Sequence, residues 1–173
     1  MATAHLSEQE LIRREKLKSL RELGINAYPA PAFPVNSNAA YIKSHFKGDE
    51  NKSDFESVCL AGRIMSIRDM GKASFAVIQD SSGKIQLYIK RDEISPGEDK
   101  TCYDKVWKHL TDIGDIIGVS GYVFITKTGE TSIHVKELTL LAKALRPIPV
   151  VKEKEGETFD AVTDPEFRYR QRY

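Results

Sequence analysis

Apolar residues recur along the chain with two different periods. In the first quarter, Leu6, Ile12, Leu17, Leu20 and Leu23 fall within one broad stripe at 100° per residue, which predicts an amphipathic helix. Its start is written as a capping box, Ser7-Glu8-Gln9-Glu10, and its stop as Gly24. Arg14, Lys18 and Arg21 line a second stripe, either a solvated face or an edge toward phosphates. Pro29, Pro31 and Pro34, then Asn36-Ser37-Asn38, mark an extended connector, Ala39–Phe46 a short helix and Gly48–Asp54 a polar loop. From residue 58 the spacing shortens to two. Val58–Arg68, Ala73–Gln79 and Ile85–Lys90 read as strands, the last two joined by the tight turn Asp80-Ser81-Ser82-Gly83. In the third strand Ile85, Leu87 and Ile89 point one way and Gln86, Tyr88 and Lys90 the other. Tyr103, Val106, Trp107 and Leu110 return to helical spacing. Two further strands, Asp115–Ile125 and Thr131–Leu141, are joined by Thr126–Glu130. Gly62 is expected at a bulge or bend, and Gly118 and Gly121 at bends.

The order strand, strand, strand, helix, strand, strand is that of a small Greek-key barrel. The fold class expected is mainly β with helices: a five-stranded, antiparallel OB-fold barrel preceded by an N-terminal α-helix. The domain limits that follow are 1–56 for helix and connector, 57–145 for the barrel and 146–173 for what comes after it.

Composition narrows the function by exclusion. Of 173 residues 40% are hydrophobic and 29% charged, which suits a globular domain and not a disordered chain. With 26 basic and 25 acidic residues the net charge is +1, so a uniformly basic polymer binder is excluded. Cys59 and Cys102 cannot make a disulfide framework, and no Cys/His group has zinc spacing, so no metal site is expected. The apolar runs are too short to span a bilayer, so no membrane partner is expected. The first residues lack a signal-peptide pattern, and the expected location is cytoplasmic. Charge is nevertheless blocked. Leu60–Arg91 holds six bases against two acids, whereas Asp92–Asp104 holds five acids and one base. Such blocks can raise a positive face on a neutral molecule.

No catalytic residues are expected. There is no glycine-rich phosphate loop, nucleophile elbow or zinc-protease motif, and His5, His45, His109 and His134 lie in separate elements. His134, between Ile133 and Val135, is placed on the polar face of the fifth strand. Binding is better supported, because an OB-fold presents strands two and three to oligonucleotides. Those strands carry Phe75, Gln86, Tyr88 and Lys90, with Arg63, Arg68, Lys72 and Lys84 beside them to hold phosphates. A ring can stack on a base while an amide reads its edge. Two readings of Phe75 stay open: a stacking platform, or one more core residue. A sequence-indifferent single-strand-binding OB module is the alternative function.

Several strings together are specific. Gly62-Arg63-Ile64-Met65, Met70-Gly71-Lys72-Ala73-Ser74-Phe75, Gln79-Asp80 and Ile85-Gln86-Leu87-Tyr88 resemble the N-terminal domain of bacterial-type class II lysyl-tRNA synthetases. So do Asp112-Ile113-Gly114-Asp115-Ile116, Lys127-Thr128-Gly129-Glu130, Lys143-Ala144-Leu145-Arg146-Pro147 and the terminal Arg168-Tyr169-Arg170-Gln171-Arg172-Tyr173. The resemblance covers nearly the whole chain in the family's order. It implies a domain that grips the anticodon stem-loop of lysine tRNA. In the full-length enzyme a following catalytic domain joins lysine to the tRNA with ATP and Mg²⁺, and the enzyme works as a homodimer. Residues 146–173 then become a linker and the start of that domain, and the 173-residue chain alone is expected to bind tRNA without ligase activity or cofactor. By the same resemblance Phe75 stacks on an anticodon base, Gln86 reads a uridine edge, Glu130 contacts another base, and Arg68 is a further candidate. Ile67 stands where some members carry a base, so that contact does not transfer.

Overall fold

The computed structural model describes residues 6–147 and the backbone of 152–154 and 157–159. The terminal Arg168–Tyr173 string lies outside the described residues. Strands β1 (Val58–Asp69), β2 (Ala73–Gln79), β3 (Lys84–Lys90), β4 (Ile116–Ile125) and β5 (Thr131–Ala142) close into a barrel in the order β1-β2-β3-β5-β4. Farther along, β6 (Lys152–Lys154) and β7 (Glu157–Phe159) pair antiparallel.

The expectation of an all-antiparallel sheet fails at one seam. β3 and β5 pair parallel, from Gln86↔Ser132 to Ile89↔Val135, while the other four seams are antiparallel. Parity requires this. A closed ring with an odd number of strands cannot reverse direction at every seam.

The barrel fills with the residues that alternation sent inward. Leu60, Ile64, Ile78, Ile85, Leu87, Ile89, Ile117, Val119, Ile133 and Val135 are all buried. The segment Cys102–Leu110 is a π-helix, whose Tyr103 and Trp107 are among the largest buried side chains. The Tyr103 hydroxyl lies 2.9 Å from Ser74 Oγ and donates to the Gly71 carbonyl at 3.1 Å, fixing the helix to the start of β2. Just before it, Arg91–Ile94 forms one helical turn, α3.

Gly62 is not a bulge. A Cβ there would stand 2.9 Å from the Gln79 carbonyl oxygen, so its glycine admits β2 closely, and the register shift falls between Ile64 and Ser66. Gly121 does sit at a register shift, against the His134 carbonyl. Gly118 keeps regular register and makes room for the Phe33 ring, which a Cβ would meet at 2.6 Å.

Helix α1 (Glu8–Glu22) begins with both bonds of its capping box. Its buried face is shifted from the expected stripe. Arg13, Leu17 and Leu20 face inward, while Ile12 and Leu23 are exposed. Arg13 is drawn in because two carbonyls need donors: its guanidinium donates to Ala144 and Ile113, each at 2.9 Å. Lys16 pairs with Asp112 at 2.6 Å, and the fully buried Lys143 ammonium donates to Asp112 at 2.5 Å and Asp115 at 2.7 Å. Burial pushes the Asp112 carboxyl up, but Lys143 and Lys16 together hold it below the ordinary carboxylate value. Asp115 also accepts from the Ala144 N–H at 2.8 Å. One buried ionic knot therefore ties α1 to the exit of β5.

The connector is also tied. Asn36 bonds Cys59 and Ser57 through its backbone and its amide, which lays the chain along the start of β1. Helix α2 (Ala39–His45) is capped by Asn38 and docked on the β2–β3 turn. The Ala39 N–H donates to Asp80 at 2.8 Å and the Ala40 N–H to Ser82 at 3.0 Å. The polar loop after α2 winds into two short 3₁₀ turns that bury Phe55.

Candidate nucleic-acid interface

On the outer face of the barrel, cross-strand pairing sets side chains in two rows. Arg68 pairs with Phe75, Phe75 with Tyr88, Tyr88 with His134, and His134 with Tyr122. The second row runs Ser66, Val77, Gln86, Ser132, Phe124. Directly paired residues share a face of the sheet. Phe75 and Gln86 are therefore on one side, and inward neighbours Ser74, Ala76, Ile85 and Leu87 take the core. Phe75 is half-buried outside the barrel, so its core reading fails.

These rows floor a groove of about 730 Å³. Phe75, Tyr88, Phe124, Val77 and Gln86 line its floor, Arg68 and Met70 one rim, and Thr126, Lys127 and Thr128 the other. The rims belong to the β1–β2 and β4–β5 ends, the loops by which an OB-fold takes oligonucleotides. The Phe75 and Tyr88 rings are 4.9 Å apart between centroids, and Tyr88 and Phe124 6.0 Å. Lys90 Nζ stands 5.7 Å from the Tyr88 ring centre, a cation–π contact.

The candidate residues divide. Phe75, Gln86 and Arg68 are brought together in the groove. Glu130 closes the β4–β5 loop beside Thr126 but does not itself line the groove, and its carboxylate lies on Lys43 Nζ at 3.0 Å. Lys72 and Lys84 are exposed at opposite ends of the β2–β3 hairpin and outside the groove lining. Arg63 is not brought in. It lies five residues along β1 from Arg68, about 17 Å, and donates to the Gly114 carbonyl at 2.9 Å. None of Arg14, Lys18 and Arg21 lines the groove.

Phe124 and the segment Thr126–Thr128 were missed by the sequence reading. Alternation in β4 was the available signal, because Val119 and Val123 are buried and Phe124 therefore faces out. His134 faces outward as expected, but it is buried beneath its aromatic neighbours, with Nδ1 hydrogen-bonded to the Tyr122 hydroxyl. Burial lowers its basicity, against the pull of Glu93, so its ring is held toward the neutral form. Burial likewise raises the Tyr122 hydroxyl.

Rings on the floor, an amide with both donor and acceptor, and cations at the rim are the chemistry by which single-stranded nucleic acids are bound. Residues 58–141 match the family described as OB-fold nucleic acid binding domain. Over its whole length the chain is 60% identical to a lysine–tRNA ligase of Porphyromonas gingivalis, covering 30% of that protein. It is 54% identical over 97% of its length to a lysine–tRNA ligase of Christiangramia forsetii, covering 29% of it. Against the lysine–tRNA ligase of Azobacteroides pseudotrichonymphae the identity is 53% over 97% of the chain, covering 33% of that relative. The chain thus carries an OB-fold nucleic-acid-binding domain over residues 58–141 and is similar along nearly its whole length to part of these lysine–tRNA ligases. It spans about three-tenths of the length of the curated relatives it matches.

Proposed function

We propose that the groove binds the anticodon loop of lysine tRNA, as the recognition part of an enzyme that attaches lysine to that tRNA. The observation that carries this is Phe75, an aromatic ring set outside the core on the floor of a groove and paired with Tyr88. An unpaired base stacks on Phe75, Gln86 offers an amide to a uracil edge, and Arg68 and Lys127 lie at the rims where phosphates pass. The Glu130 carboxylate accepts from an N–H of a further base. Lys72 and Lys84 add long-range attraction, and Arg63 is given no part.

Adenylate formation and transfer, with ATP and Mg²⁺, and pairing into a homodimer are assigned to the full-length enzyme. Among the described residues no three His, Cys, Asp or Glu side chains stand where they could hold a metal ion. Among the described residues, too, no helix is long and apolar enough to cross a membrane.

The test is titration of a lysine anticodon stem-loop with the chain and with Phe75→Ala. The variant should bind about 5- to 150-fold more weakly, the loss of one stacked base, with nearly unchanged melting. Unchanged affinity, or a variant that no longer folds, would remove the stacking role. Equal affinity of the wild-type chain for any short single strand would favour the sequence-indifferent binder.

A further inference from the structure

The Glu130 carboxylate has one polar partner among the described residues, and it comes from outside the barrel. Its backbone is pinned within the β4–β5 loop: the N–H donates to Thr126 Oγ1 at 3.0 Å, and the carbonyl accepts from the Thr126 N–H at 3.0 Å. The turn is closed by Gly129, whose φ of +84° suits glycine. None of those bonds fixes the side chain. Lys43 Nζ does, at 3.0 Å, from helix α2.

Helix α2 is itself rigidly placed. Asn38 caps it, Asp80 and Ser82 hold its first N–H groups to the β2–β3 turn, and Ile42 is fully buried beneath it. The residue after Ile42 is Lys43. One short helix thus spans from the turn behind Gln86 to the loop that carries Glu130.

We propose that Lys43 is a positioning residue for base recognition. Its ammonium holds the Glu130 carboxylate in one place beside Thr126, which lines the groove, ready to accept from a base N–H. This rests on the reading of the groove as an anticodon site. An ionised carboxylate is acceptor-only, so it selects bases that present a donor there. A merely structural pair between two half-exposed side chains would leave that selection unchanged, since such pairs add little to stability.

The experiment compares wild type, Lys43→Met and Lys43→Arg against lysine anticodon stem-loops that differ at one anticodon base. Lys43→Met should lose about two- to fivefold of the discrimination at one position, the scale of a half-exposed ion pair. Melting should stay unchanged, and Lys43→Arg should restore the discrimination. In a Glu130→Gln background, Lys43→Met should have no further effect. A loss shared equally by all stem-loops would make Lys43 a phosphate-binding charge and overturn the proposal. Unchanged or improved discrimination in Lys43→Met would overturn it as well. The Phe75→Ala arm separates the two claims. If Phe75→Ala weakens binding while Lys43→Met is silent, only the positioning role falls. If the wild-type chain does not distinguish the stem-loops at all, the anticodon reading itself falls.

Discussion

Gln86 is the residue whose chemistry is most particular to the proposed ligand. Its amide can donate and accept at once, which matches the uracil edge, and its neighbours on the floor are apolar or aromatic. Gln86→Ala should therefore relax discrimination against a changed central anticodon base more than it lowers overall affinity, measured by titrating both stem-loops. A uniform loss would mean that Gln86 packs and does not read. The period of two made this position legible, since Gln86 lies between the inward Ile85 and Leu87. For Phe75 the same pattern was ambiguous, because a phenyl ring in a strand satisfies either face. Only pairing with Arg68 and Tyr88 decides it. His134 was placed on the correct side but not at its depth, because burial on the outer face comes from Tyr88, Phe124 and Tyr122 on other strands.

Elements were easier to read than the joints between them. Strand limits, the capping box and the Asp80 turn follow from local patterns, and the structure shows them nearly as expected. The parallel seam, the shifted face of α1 and the bulge beyond Gly62 depend on partners distant in sequence. The ionic knot is the clearest case, with Lys16, Asp112, Asp115 and Lys143 coming from three parts of the chain. Each of these charges alone reads as solvated surface. Lys143→Met should destabilise the domain by about 3–5 kcal/mol, because Asp115 would be left buried without its counter-charge. Urea unfolding checks this, and a cost under about 1 kcal/mol, the scale of an exposed pair, would mean the knot contributes little.

At the scale of the whole molecule, charge has to be sorted by position and not by sum. The +4 stretch from Leu60 to Arg91 looked uniform in sequence, yet Arg68 reaches the groove and Arg63 is spent on the Gly114 carbonyl. Counterion release should give stem-loop binding a log–log salt slope of about −2 to −4, near −0.7 to −0.9 per phosphate contact. Arg68→Ala should remove about one contact's worth of slope, while Arg63→Ala should leave the slope as it was. A slope near zero would make the basic stretch ordinary surface. Whether this barrel reads an anticodon comes down to one ratio. It is the affinity of the wild-type chain for the lysine anticodon stem-loop over its affinity for the same stem-loop with the central base changed. A ratio of about ten or more, as expected when polar groups in a built site lose their partners, agrees with the account. A ratio of one would contradict it.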